Sequence, residues 1–242
     1  MHKCLVALSA MGLSVVAACG DRTPPVLQDV VVTGPNTLAP LAAMVSVSTN
    51  EPVRVTVEVS GGLEGIAAIE DGSLSTAHQV LVQGLVPDRT HQVTLTVEDE
   101  AGNHLSADPV TITTAPLPDG FPTLDVKTSD PARMEPGLTV FALYRWPDGK
   151  TNDLDAGLIL ALDERGRVVW YYQTDHSIGD VIQLRNGNLL YSTVVDGVRG
   201  RFVEIDVLGR TIESWHSRSL VDAGLDDSIL VDVDSFHHEM VE

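Results

Sequence analysis

Two adjacent imidazoles close to the end of the chain, His237 and His238, carry the sharpest chemical signal in the sequence. Neighbouring histidines can hold an anion, move protons or ligate a metal. They follow a run of acidic residues, Asp222, Asp226, Asp227, Asp232 and Asp234, and precede Glu239. That mixture could be read as a calcium or zinc site, but neither an EF-hand loop nor a His-Glu-x-x-His spacing is present, so a solvated acidic loop is the expectation and no metal or other cofactor is assigned. A third reactive group lies at the other end. Val16-Ala17-Ala18-Cys19 follows the apolar run from Leu5 to Val16. Small residues ahead of a cysteine suit attachment of a lipid to the thiol before cleavage. Residues 1–19 therefore read as a lipoprotein signal, with Cys19 as the lipidation site, and Gly20 directly after it favours the outer membrane. Two or more acyl chains would make that anchorage stable. His176 and His216 read as loop residues, and Trp170, Tyr171 and Tyr172 as packing aromatics.

The elements that must position the histidines come in a repeat. Leu162-Asp163-Glu164-Arg165-Gly166-Arg167 returns as Ile205-Asp206-Val207-Leu208-Gly209-Arg210, 43 residues on, and each copy runs into β-branched residues and a tryptophan, Trp170 or Trp215. A period of roughly 40 to 50 residues built from short strands and tight turns is that of a four-stranded propeller blade. In a second register, Asp180-Val181-Ile182-Gln183 is echoed by Glu239-Met240-Val241-Glu242 after 59 residues, the extra length being the acidic loop. The innermost strand of a blade lines the central channel, so a histidine just ahead of Glu239 would face that axis; His238 is the preferred one of the pair.

Upstream the texture differs. From Val26 to Thr114, Val- and Thr-rich runs alternate with period two: Val30–Val32, Met44–Ser48, Val53–Val59, Val80–Val82, Val93–Val97 and Val110–Ile112. Turn residues separate them, which predicts an immunoglobulin- or fibronectin-III-like sandwich over residues 26–115, on a tether at 20–25. His91 occupies the place where such domains carry a corner tyrosine. A Pro-rich linker at 116–122 ends this part. No Trp, Tyr or Phe precedes it, and all three Trp, four Tyr and four Phe lie at or beyond Phe121. Over 123–242 the strands expected are Leu124–Lys127, Leu138–Tyr144, Leu158–Asp163, Val168–Gln173, Val181–Leu184, Leu189–Thr193, Phe202–Asp206 and Thr211–Trp215. The fold class is thus all-β, a sandwich followed by the first blades of an incomplete propeller. With Cys4 in the signal and Cys19 lipidated, no disulfide is expected. A net charge of −19 spread along the chain opposes nucleic-acid binding.

The ordered set Asp-turn-Gly with Val168-Val169-Trp170-Tyr171-Tyr172, then Asp180-Val181 through Leu184 and Asn186-Gly187-Asn188-Leu189-Leu190, then Glu204-Ile205-Asp206, then Phe236-His237-His238-Glu239, resembles the bacterial arylsulfate sulfotransferases over residues 121–242. The resemblance implies a six-bladed propeller behind an N-terminal sandwich, a chain about twice this length, and transfer of a sulfuryl group from an aryl sulfate donor to a phenolic acceptor through a sulfohistidine. It also implies that His237 and His238 help bind the sulfate. The nucleophilic histidine and a sulfate-binding arginine would fall in later blades, so this stretch alone is expected to be inactive. The partners expected are the aryl sulfate, the phenol and the membrane, with a homo-oligomer left open. The competing reading is a non-enzymatic surface lipoprotein whose sandwich and propeller bind a partner or glycan.

Overall fold

The computed structural model describes residues 21–63, 68–82, 84–119, 121–135, 137–143, 157–174, 176–195, 198–236 and 240. Among these the chain is all-β, with only two 3₁₀ turns, at Pro131–Arg133 and Arg218–Leu220. The N-terminal strands are β1 (Leu27–Thr33), β2 (Ala43–Ser60), β3 (Ile69–Val82), β4 (Thr90–Asp99), β5 (His104–Ser106) and β6 (Val110–Thr113). Two of them are long and bent. The first half of β2 pairs with β1 and the end of β3, and its second half pairs with the start of β3 and with β4; the register shifts between Ser48 and Val53. Asn50-Glu51-Pro52 lies in that shift, where a proline removes a ladder donor. The two halves of β2 close on one core: Val45 and Val47 share it with Val53, Val55, Val57, Val93, Leu95 and Val97. Alternation places these apolar side chains inside and most of the intervening polar ones outside, with Thr49 an inward-facing exception.

His91 fills the corner position. It is wholly buried, and its Nε2 lies 3.1 Å from the carbonyl oxygen of Val86 and 3.2 Å from the Val86 nitrogen. Either tautomer therefore ties the ring to the backbone five residues upstream, the tie that a tyrosine hydroxyl makes in this class of sandwich. The polar stretch from Ile69 to Gln79 belongs to β3, although its sequence shows no strand periodicity. Side chains hold it: Asp71 accepts from the Ser73 backbone N–H and hydroxyl, and the buried His78 contacts the Asp71 carboxylate at 2.8 Å and the Ser75 carbonyl at 3.0 Å.

Beyond the linker, β7 (Thr139–Leu143), β8 (Gly157–Leu162) and β9 (Val168–Thr174) form a three-stranded antiparallel sheet. A five-stranded sheet follows: β10 (Ile178–Gln183), β11 (Leu189–Val195), β12 (Val198–Ile205), β13 (Thr211–Ser217) and β14 (Ile229–Val231). Strands β10 to β13 make an antiparallel meander, compatible with a propeller blade. The stretch Leu124–Lys127, expected as a strand, is irregular: Val126 is half-exposed, Leu124 packs on the core, and among the described residues no strand pairs with it.

The repeat is built alike at the atomic level. In each copy the aspartate backbone N–H donates to the carbonyl of the arginine four residues on. One carboxylate oxygen accepts two backbone N–H groups, and the other accepts the Arg Nε–H: Arg167 at 2.7 Å for Asp163, Arg210 at 2.6 Å for Asp206. Gly166 and Gly209 close the turns at φ of +74° and +77°. This is a three-residue hairpin loop with a left-handed glycine. In both sheets it joins the last two strands of the antiparallel run, β8 to β9 and β12 to β13. Asp99-Glu100-Ala101-Gly102-Asn103 in the sandwich makes a similar turn, so the repeat rests on strand order as well as on turn type.

The sandwich and the C-terminal sheets share apolar cores. Leu158, Leu160 and Tyr171 join the sandwich core, where Phe121 of the linker meets Tyr171 edge-on at 5.2 Å. A second core sets Ala39 and Ala42 of the sandwich among Ile159, Ala161, Trp170, Tyr172, Tyr191, Val203, Ile205 and Leu208. The loop before β2 makes that joint. Asn36 accepts the N–H groups of Leu38 and Ala39 and donates its amide to the Leu208 carbonyl at 2.8 Å, while Gln173 donates to the carbonyls of Leu38 and Thr37.

Candidate functional site

The expected sulfate-binding pair, His237 and His238, lies outside the described residues, as does Cys19. The structure does describe how the chain approaches the histidines. After β13, the 3₁₀ turn Arg218–Leu220 carries the chain through an exposed loop in which Asp222, Asp226 and Asp227 face solvent. The chain returns as β14, which adds parallel to the edge of β13. Arg218 then gathers the end of that loop, with Nη1 at 3.0 Å from Asp232 and Nη2 at 2.8 Å from Asp234, while its backbone N–H donates to the Val233 carbonyl. Phe236, directly before the pair, stacks on Phe202 of β12 with ring centroids 4.3 Å apart. The entrance to the histidine segment is thereby anchored by one guanidinium and one aromatic stack.

The acidic loop thus divides by partner, with Asp232 and Asp234 engaged by arginine and Asp222, Asp226 and Asp227 exposed. Among the described residues the one acidic group close enough to share an ion is Asp21, Glu51 and Asp99, on the sandwich. Its buried member is already satisfied: Asp99 accepts from the Asn103 side chain at 2.8 Å and from the Asn103 backbone at 2.9 Å. These bonds, the side-chain one first, hold its carboxyl below the usual range although burial opposes them.

A polar cluster lies where β9 meets β10. Tyr191 on β11 brings its hydroxyl to 3.0 Å from His176 Nε2 and 3.4 Å from the Tyr172 hydroxyl, and Thr174 Oγ1 lies 2.6 Å from His176 Nδ1. His176 occupies a bend, as expected of a loop residue. His216 does not. It sits in β13, buried, opposite Arg201 of β12, and its Nδ1 has no hydrogen-bond partner among the described residues. In β13 His216 shares a face with the buried Ser214, a placement that the sequence does not signal because Ile212 on the same face is exposed.

The aromatic triplet acts in packing. Trp170 and Tyr172 lie nearly parallel, 9° apart, with centroids at 6.5 Å, and Tyr171 turns to the other side of the sheet. Burial raises the Tyr171 phenol to about 12, so the ring stays neutral. The Trp170 indole donates to the carbonyl of Val207 at 2.8 Å.

Residues 30–115 match the family model described as the arylsulfotransferase Ig-like domain. That match supports the arylsulfate sulfotransferase family for the N-terminal part of the chain. No match was found among curated proteins or among solved structures.

Proposed function

We propose, from the premise that residues 30–115 form an arylsulfotransferase Ig-like domain, that the protein serves sulfuryl transfer from an aryl sulfate to a phenolic acceptor. In this reading His237 and His238 bind the sulfate group. Imidazoles suit the reaction because negative charge develops on the equatorial oxygens and on the departing phenolate, and an N–H can stabilise the first and protonate the second. In the covalent route a neutral imidazole nitrogen attacks sulfur, the aryl C–O–S linkage breaks at the O–S bond, and the phenolate takes up a proton. The acceptor phenol then loses its proton and attacks the sulfohistidine, restoring free imidazole. The nucleophile is assigned to no residue here. The protein is further proposed to be exported and held at a membrane through a lipid on Cys19.

The observation carrying this reading is the family match at residues 30–115. Two features support it: the paired Asp-Gly turns, each closing the last hairpin of an antiparallel run, and the anchorage of Phe236 directly ahead of the histidines. The test is transfer from a chromogenic aryl sulfate to phenol by the full-length gene product, followed by release of the coloured phenol. Turnover dependent on added acceptor supports the reading. Absence of transfer, with the fold verified, would remove it.

A further inference from the structure

A cavity of about 140 Å³ lies where the sandwich meets the C-terminal sheets. Leu41 and Val82 contribute from the sandwich, and Val140, Ala161, Trp170 and Leu189 from β7, β8, β9 and β11. Most of these side chains are buried, whereas Leu138 and Gln183, at the rim, are exposed. Among the described residues Gln183 is the one polar side chain in the lining. Its amide has a single stretched bond, 3.5 Å, to the Gly187 carbonyl. The indole N–H of Trp170 is already taken by Val207, so the ring offers the cavity apolar surface.

We propose that this cavity binds one single-ring aromatic molecule, with any uncharged polar substituent directed to Gln183 at the rim. Size and lining together carry the inference. An apolar cavity of about 150 Å³ in another protein stays dry and takes up benzene, because water there would find no hydrogen-bond partners. The volume here is well below the roughly 300 Å³ at which drug-sized ligand sites begin, which excludes a two-ring ligand. A charged substituent buried inside the cavity is disfavoured as well, since among the described residues no cationic or anionic side chain lines it to offset the desolvation. The inference does not depend on the function proposed above.

The test is ligand-observed NMR and calorimetry on the full chain with toluene, phenol and benzoate. Toluene and phenol are expected to saturate at one site, and benzoate to show no binding. Leu138→Trp, at an exposed rim position that leaves the core untouched, should weaken toluene by at least about tenfold by filling the entrance. Gln183→Leu should keep toluene and weaken phenol several-fold. Binding should survive His237→Ala and His238→Ala, which separates this site from the sulfate site. Absence of saturable toluene binding, benzoate binding as well as toluene, no effect of Leu138→Trp, or loss of toluene binding in the histidine variants would each overturn the proposal.

Discussion

The indole of Trp170, which follows the first Asp-Gly turn, donates its N–H to the carbonyl of Val207 inside the second, at 2.8 Å. One repeat therefore hydrogen-bonds the next through the residue that ends its own pattern. Stacking against Tyr172 fixes the indole in that direction. Trp170→Phe keeps the ring in place but leaves the carbonyl without this donor. It is expected to cost about 1 to 2 kcal/mol, read from the urea midpoint at unchanged slope.

The two aspartate turns should respond alike. Asp163→Ala and Asp206→Ala each remove a carboxylate that accepts three hydrogen bonds, two from backbone N–H groups and one from an arginine Nε–H. About 2 to 3 kcal/mol of destabilisation is expected from each in thermal or urea unfolding. Gly209→Ala should be harmful for a separate reason. Its φ is +77°, and an added Cβ would lie 3.0 Å from both Leu38 and the Tyr172 ring.

Acid should weaken the fold in a definite window. Hydrogen bonds from Ser73 and His78 hold Asp71 at about 2, below its ordinary 3.8. Burial pushes Asp163 upward, but the backbone and guanidinium of Arg167 outweigh it and leave its carboxyl below the usual range. A depressed folded value means that the stabilising charge is fully present above pH about 4 and is lost as pH falls toward 2. Urea midpoints measured from pH 6 to pH 2 should therefore fall, and Asp71→Asn should flatten that fall. At the other extreme, the raised Tyr171 phenol contributes stability that is lost as pH rises from 10 to about 12. A midpoint that climbs on acidification would contradict the assignment.

His91→Ala should be among the most damaging single changes in the sandwich. The ring is wholly buried and its Nε2 ties to the Val86 backbone, so both volume and a backbone partner are lost. About 3 kcal/mol is expected, read by calorimetry or urea unfolding. His91→Phe retains most of the volume and should fall between.

Two changes bear on the proposed function. His237→Ala or His238→Ala should lower aryl sulfate transfer by the full-length product by about 10²-fold or more, with melting temperature unchanged. Full activity in both variants would move the sulfate site elsewhere. Cys19→Ala should shift the protein from the membrane fraction to the soluble periplasmic fraction, and unaltered fractionation would exclude the lipid anchor.

Much of the architecture was legible because it is written in local rules. Val-Thr alternation marked the sandwich strands, and Asp followed by Gly three residues later marked the hairpins, since only a glycine readily adopts the left-handed φ found at Gly166 and Gly209. Other features were not. The start of β3, around Glu70 to Ser75, carries no apolar alternation and is held as a strand by pairing with β2 and by the bonds that Ser73 and His78 each make to Asp71. Leu124 to Lys127 alternates but finds no partner strand among the described residues. His216 reads as a loop residue by its position after Trp215, yet the pairing of β13 with β12 takes it inside.

By itself, then, the sequence determined the strand order, the turn chemistry, the aromatic-poor and aromatic-rich halves and the resemblance carried by their motifs, because each depends on residues near one another in the chain. Only the tertiary structure decided that Asn36 pins the sandwich to Leu208, that Trp170 reaches Val207, and that Leu41, Val82 and Trp170 meet around a cavity. Those contacts join residues from 37 to 172 positions apart. Side-chain period dictates which face of a strand is apolar, but which other face covers it is settled by shape and packing across the whole fold.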